Sequence, residues 1–113
     1  MRYVRRVNLH RLAEERSLAY HRIVAQRLER DSAILDAARA LANLWIERGG
    51  RSVGYAKAWR EALNRPLAEI IALLEEDSEH ARTLRQSSPF AGALTPAERW
   101  SVWRSTRQRF GPP

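Results

Sequence analysis

The chain has 113 residues, which is the usual size of one domain with its own core. Apolar residues make up 44% of it and charged residues 29%, a composition that excludes an intrinsically disordered protein. There is no cysteine, so disulfides and thiolate metal sites are excluded, and no apolar run approaches the ~20 residues of a membrane span. The start of the chain lacks the apolar core of a secretory signal, which predicts a cytoplasmic protein.

Charge is distributed unevenly along the chain. The formal net charge is +7, and 19 of the 20 basic residues are arginine. Residues 1–30 and 82–113 each carry a net charge of +5, whereas residues 66–81 carry −5. Such a field attracts polyanions or an acidic protein partner, although the acidic block could instead pair with either basic end of the same chain.

Helical periodicity begins near the N-terminus, and no stretch keeps the two-residue alternation of a strand. The first helix is predicted from about Asn8, as its N-cap, to about Arg30, after a flexible basic arm over residues 1–7. A second helix follows, capped by Asp31 or Ser32.

Glycine and proline then mark the middle of the chain. Gly49 is predicted to end the second helix, and Ser52 to cap a shorter third one. Pro66 breaks that helix and suits the first turn of a fourth. The apolar stripe of the fourth helix consists of Leu67, Ile70, Ile71 and Leu74.

Two further cap signals follow. Asp77 and Ser78 precede a short helix, and Thr95 and Glu98 in the sequence TPAE form a capping box that starts the last helix. The sequence contains no internal repeat and no low-complexity segment. The sequence therefore predicts one all-α domain over residues 1–113, a compact bundle of five or six helices.

The segment LRQSSPFAGALTPAERW, residues 84–100, connects the last two helices. Proline stops one helix and glycine supplies a turn, so residues 87–94 form a loop. We expect Phe90 to enter the bundle from this loop as an apolar plug. The alternative is an exposed Phe90 that serves a partner.

Arginine interrupts the apolar stripe of the first helix. Arg16 and Arg27 fall in its middle, where a charge needs a carboxylate or an exit to water. One interpretation is that both arginines pair with carboxylates or reach water within a single chain. The other is that this face of the helix is completed by a second chain, which could be another copy of the same protein, as in a homodimer.

The last helix places Trp100, Trp103, Arg104 and Arg107 on one face. We expect the two tryptophans to anchor the core. A Trp-Arg face is also the composition of interface hot spots and of single-strand stacking platforms. The candidate partner-binding residues are accordingly Arg16, Arg27, Phe90, Trp100, Trp103, Arg104 and Arg107.

Two stretches match the Arg-x4-His pattern of helical ribonucleases of the HEPN type, Arg5 to His10 and Arg16 to His21. With so many arginines, about one such match arises by chance. His10 and His21 would lie ~16 Å apart on a helix, too far to share a metal ion. GGRSVG could cradle a phosphate, but helix capping explains it equally well. No enzyme activity and no metal or cofactor are predicted.

LRQSSPFAGALTPAERW, together with YHRIVAQRLERD at residues 20–31, resembles small helical bacterial antitoxins of toxin–antitoxin operons. The resemblance implies a non-enzymatic binding protein. We expect it to neutralise or regulate a protein partner, such as a toxin encoded next to it, and the aromatic and arginine face is the surface we expect to bind that partner. One alternative is a basic regulator that binds nucleic acid, if only weakly. The other is a HEPN-like ribonuclease built on Arg16 and His21.

Overall fold

A computed structural model describes the backbone of residues 2–111 and the side chains of residues 9–111. This part of the chain forms six helices and no strand, which confirms the all-α prediction. None of the helices is both long and apolar enough to cross a bilayer. The helices are α1 Arg2–Leu28, α2 Ser32–Arg48, α3 Val53–Leu63, α4 Leu67–Glu75, α5 Glu79–Gln86 and α6 Pro96–Phe110.

The first helix begins earlier than its sequence pattern predicts. It starts at Arg2 instead of Asn8, so the assignment of Asn8 as N-cap is wrong. The residues before Asn8 contain no glycine or proline and three arginines, which are good helix formers, so nothing stops the helix from extending. Flexibility of residues 1–7 stays a prediction, and Met1 lies outside the described residues.

Helix α1 is the central element, and it packs against α6, α4, α5 and α2, while α3 lies mainly on α2. The core fills the space between these helices. Its largest fully buried side chains come from α1, α3, α4 and the loop between α5 and α6. They are Trp59, Phe90, Leu63, Ile70, Leu74 and Val24.

Local signals fix several helix ends. The Asp31 carboxylate accepts a hydrogen bond from the Ala33 N–H at 3.1 Å and so caps α2. Gly49 follows α2 with a φ of +71°, a backbone conformation that favours glycine. Both caps agree with the sequence prediction.

The predicted capping box at the start of α6 is confirmed. The Glu98 N–H donates to the Thr95 hydroxyl oxygen at 3.2 Å, and the Thr95 N–H donates to a Glu98 carboxylate oxygen at 3.0 Å. Both N–H groups would otherwise lack a partner within the helix. The box therefore sets where α6 begins.

Removing the cap should destabilise the fold measurably. We expect Thr95→Ala to lower the free energy of unfolding by about 1 kcal/mol, because the Glu98 N–H loses its acceptor. Thr95→Ser keeps the hydroxyl and should stay close to the wild type. Urea denaturation of the three proteins checks this, and equal losses in the two variants would show that the hydroxyl contributes nothing.

Candidate functional site

An aromatic–arginine surface, formed by Trp100, Trp103, Arg104 and Arg107, lies along one face of α6. The indoles of Trp100 and Trp103 are stacked, with ring centroids 4.9 Å apart and planes inclined by 14°. The guanidinium of Arg107 lies 5.1 Å from the Trp103 ring centroid. Positions three and four apart on a helix are neighbours, so the helical repeat places these side chains in one row.

The surface is more open than the sequence predicts. Trp100 is 55% exposed and Trp103 half-buried, so the expectation that both anchor the core is wrong for Trp100. Helix α6 turns Val102 and Thr106 inward instead, one turn apart on the side that faces the bundle. Arg104, like Arg107, is exposed beside the tryptophans, as predicted.

Phenylalanine extends the same pattern to the end of α6. The Phe110 ring contacts two guanidinium groups, that of Arg11 of α1 at 5.3 Å and that of Arg109 at 5.1 Å from its centroid. No sequence pattern links Phe110 to Arg11. Their contact crosses 99 positions of chain, so no local pattern could reveal it.

Arg27 forms an ion pair with a carboxylate of the same chain. Its guanidinium donates to a Glu98 carboxylate oxygen, so the interpretation that Arg27 pairs internally is confirmed. This hydrogen bond, with that from the Thr95 N–H, lowers the pKa of Glu98 to about 2. Glu98 therefore both caps α6 and ties it to α1, and Arg27 does not offer an unpaired charge to a partner.

Arg16 differs from Arg27, although both lie in the same helix. It is half-buried and forms no ion pair with any carboxylate whose position the structure describes. Together with Trp100 and Trp103 it lines an open groove between α1 and α6. The structure thus brings Arg16 to the aromatic–arginine surface, and its role in contacting a second chain stays a prediction.

Phe90 does not belong to the exposed site. It is 1% exposed, and its ring packs edge-on against Trp59 with centroids 5.9 Å apart, so the plug prediction is confirmed. The Tyr20 hydroxyl donates to the Phe90 carbonyl oxygen at 2.6 Å and holds the loop against α1. Its inclusion among the partner-binding residues is therefore wrong, because the ring is enclosed by the bundle.

His21 is a buried structural residue. Its Nδ1 donates to the Ser17 carbonyl oxygen and its Nε2 accepts from the Ser88 hydroxyl, both at 2.7 Å. Burial lowers its pKa to about 4, against the opposing effect of the Ser17 carbonyl. The side chain is 3% exposed with both nitrogens engaged, so it is poorly placed to exchange a proton with a substrate.

The other candidate chemical sites are weaker still. His10 is exposed and contacts Glu14 at 3.1 Å, while the side chain of Arg5, its partner in the motif, lies outside the described part. In GGRSVG, Ser52 precedes α3 without a side-chain capping bond, contrary to prediction. Among residues 9–111, no three His, Asp or Glu side chains gather as metal ligands would.

No protein-family model matches the chain, and no curated protein or solved structure shows significant similarity to it. What the site binds therefore has to follow from its own chemistry.

Proposed function

We propose that the chain is a non-enzymatic interaction protein that neutralises or regulates an acidic protein partner, as antitoxins do, through the aromatic–arginine surface. The observation that carries this proposal is the exposure of Trp100, which at 55% exceeds that of every other large hydrophobic side chain described. Covering a large apolar ring with a partner removes it from water and so stabilises the complex. Tryptophan and arginine are among the residues most enriched in interface hot spots.

Charge supports an acidic partner. Helix α6 carries four exposed arginines and a single carboxylate, and Arg27 already neutralises that carboxylate. Residues 82–113 as a whole carry a net charge of +5. A negatively charged protein surface would be steered toward this end of the molecule and oriented by it. The four arginines are Arg99, Arg104, Arg107 and Arg109.

The stacking geometry favours a protein over a nucleic-acid strand. Proteins that hold single strands present successive aromatic faces, one for each stacked base. Here Trp100 and Trp103 each cover one face of the other, and Arg107 lies near the Trp103 ring, so fewer ring faces are free than two separated tryptophans would offer. Nucleic-acid binding by the basic surface should therefore be weak, sequence-tolerant and sensitive to salt.

Reversing charge on the surface should weaken the partner complex without unfolding the protein. We expect Arg104→Glu with Arg107→Glu to reduce affinity by at least about tenfold, because two attractive contacts become repulsive ones. The partner to use is the product of the adjacent gene, co-expressed and co-purified, with affinity measured by calorimetry. Arg48→Glu with Arg60→Glu changes the net charge equally at exposed positions on α2 and α3 and serves as the control.

Three outcomes would contradict the proposal. Equal weakening by both variant pairs would indicate general electrostatic attraction, and unchanged affinity in the α6 variant would place the interface elsewhere. Tight binding of one oligonucleotide sequence that persists at high salt, with no protein complex, would favour the nucleic-acid regulator instead.

A further inference from the structure

The groove beneath the two tryptophans has the dimensions of a small-molecule site. It lies between α1, α5 and α6 and has a volume of about 670 Å³, inside the ~300–1,000 Å³ typical of such sites. The rings of Tyr20, Trp100 and Trp103 and the side chain of Val102 form part of its lining. The groove is open on one side and large enough to hold a molecule with one flat ring.

The groove is positively charged. One arginine from each of its three helices lines it: Arg16 from α1, Arg85 from α5 and Arg99 from α6. No Asp or Glu of the described residues lies in the lining. His21 also lines it and is uncharged near neutral pH, because burial keeps its pKa at about 4. With three arginines and no carboxylate in its lining, the groove favours an anionic ligand.

Arg85 is the most unusual of the three arginines. It is only 4% exposed, and one terminal nitrogen donates to the carbonyl oxygens of Leu73 and Glu76, at 3.3 and 2.6 Å. Its Nε and its other terminal nitrogen are buried and have no hydrogen-bond partner among the described residues. The nearby Asp77 carboxylate is bound to Arg82 instead, at 2.8 Å. The Asp77 and Glu76 carboxylates favour the charge of Arg85 without hydrogen-bonding to it, and leaving charged donors buried and unpaired is costly.

The outer face of Trp100 supplies the second element of recognition. Its inner face is covered by Trp103, while 55% of the residue remains exposed at the edge of the groove. A planar ring can stack on this face while an attached anion reaches the arginines. A phosphomonoester carries a charge of about −1.5 to −2 and three acceptor oxygens, so it matches three guanidinium groups better than a single carboxylate does.

We propose that the groove between α1, α5 and α6 binds a phosphomonoester attached to a flat ring, a ligand of the mononucleotide class. Its ring stacks on Trp100, and its phosphate lies between Arg16 and Arg99 and above Arg85. The unpaired nitrogens of Arg85 have almost no accessible surface, so Arg85 attracts the phosphate through its charge and not through a direct hydrogen bond. This site goes beyond the proposed protein interaction and does not require it.

The test uses the isolated full-length chain at low salt. The probes are the 5′-monophosphates of adenosine, guanosine, cytidine and uridine, with adenosine and inorganic phosphate as the two halves of the ligand. Quenching of tryptophan fluorescence and calorimetry report binding. At least one monophosphate should bind saturably with a Kd below about 1 mM. It should bind at least about tenfold more tightly than either half, because each half makes only part of the contacts.

Variants assign the contacts. Arg16→Gln and Arg99→Gln should each weaken binding about tenfold, because each removes a charge-assisted hydrogen bond. Trp100→Leu should weaken the monophosphate at least about fivefold and leave inorganic phosphate unchanged. Arg60→Gln removes the same charge from an exposed site on α3 and should have no effect. These exposed or half-buried positions decide the matter even where a substitution of Arg85 prevents folding.

Failure of all four monophosphates to bind saturably would overturn the site. A loss in Arg60→Gln as large as that in Arg16→Gln would reduce it to general attraction between a basic protein and an anion. Equal affinity for inorganic phosphate and the monophosphate would overturn the stacking half of the proposal. Because no protein partner is present, failure here leaves the proposed interaction untouched, and failure to find a partner leaves this site untouched.

Discussion

Phe90→Ala is expected to lower the free energy of unfolding by about 3–5 kcal/mol, the range for a fully buried phenylalanine cut back to alanine. The ring is 1% exposed and meets Trp59 and His21 edge-on, so the surrounding side chains would face a cavity. Whole domains are typically stable by only ~5–15 kcal/mol. A single loop residue therefore supplies a large share of the stability of this fold.

Urea denaturation monitored by circular dichroism measures the loss. Phe90→Leu keeps an apolar side chain in the cavity and should lose clearly less than the alanine variant. Tyr55→Ala removes an aromatic ring that is 43% exposed, which makes it the control for loss of an aromatic ring without full burial. A loss below about 1 kcal/mol for Phe90→Ala would show that the loop relaxes into the space and is no plug.

The features that local sequence predicts well are those that depend on residues close together in the chain. The capping box of α6 needs only Thr95 and Glu98, and the end of α2 needs only Gly49. The burial of Phe90 can also be predicted, because removing a large aromatic ring from water is strongly favourable. The two helix-end predictions hold because they depend on residues close together in the chain. The Phe90 prediction holds because burial of the ring is favourable whichever helices surround it.

The orientation of α1 shows where local patterns fail. A helical wheel centred on Leu9 places Leu9 inward and Leu18 outward, yet Leu9 is 51% and Leu18 only 4% exposed. The buried side of α1 depends on where α4, α5 and α6 lie around it, and periodicity carries no information on that arrangement. Helix α1 also has neighbours on several sides, so a single apolar stripe cannot describe it.

The charged residues of the site show the same limit more sharply. Glu98 is recognisable as a capping residue, but its bond to Arg27 spans 71 positions. Arg85 looks like an ordinary solvated residue of a short polar helix, and only the packing of α5 against its neighbours buries it. No sequence signal distinguishes it from the other eighteen arginines, so the groove could be found only from the structure.

Mild acid should destabilise the fold through His21. Its pKa is lowered from 6.5 to about 4 in the folded protein, first because of burial. Between these values the unfolded chain binds the proton and the folded chain does not, so unfolding takes up a proton and becomes more favourable as pH falls. The stabilisation is complete above pH ~6.5 and lost toward pH ~4, and a shift of this size corresponds to about 3 kcal/mol.

Urea denaturation at several pH values between about 7 and 4 measures this loss, and two variants identify its source. His21→Asn removes the titrating group, so the variant should be less stable at neutral pH but should depend much less on pH in this window. His80→Gln removes an exposed histidine and should keep the wild-type dependence. Glu98, whose pKa is lowered from 4.5 to about 2 first by its hydrogen bond with Arg27, contributes stability that is lost as pH falls from about 4.5 toward about 2, so the slope above pH ~5 reports His21. Should His21→Asn retain the full slope between pH ~7 and ~4, the burial of a neutral His21 against Ser17 and Ser88 is not what makes the fold sensitive to acid.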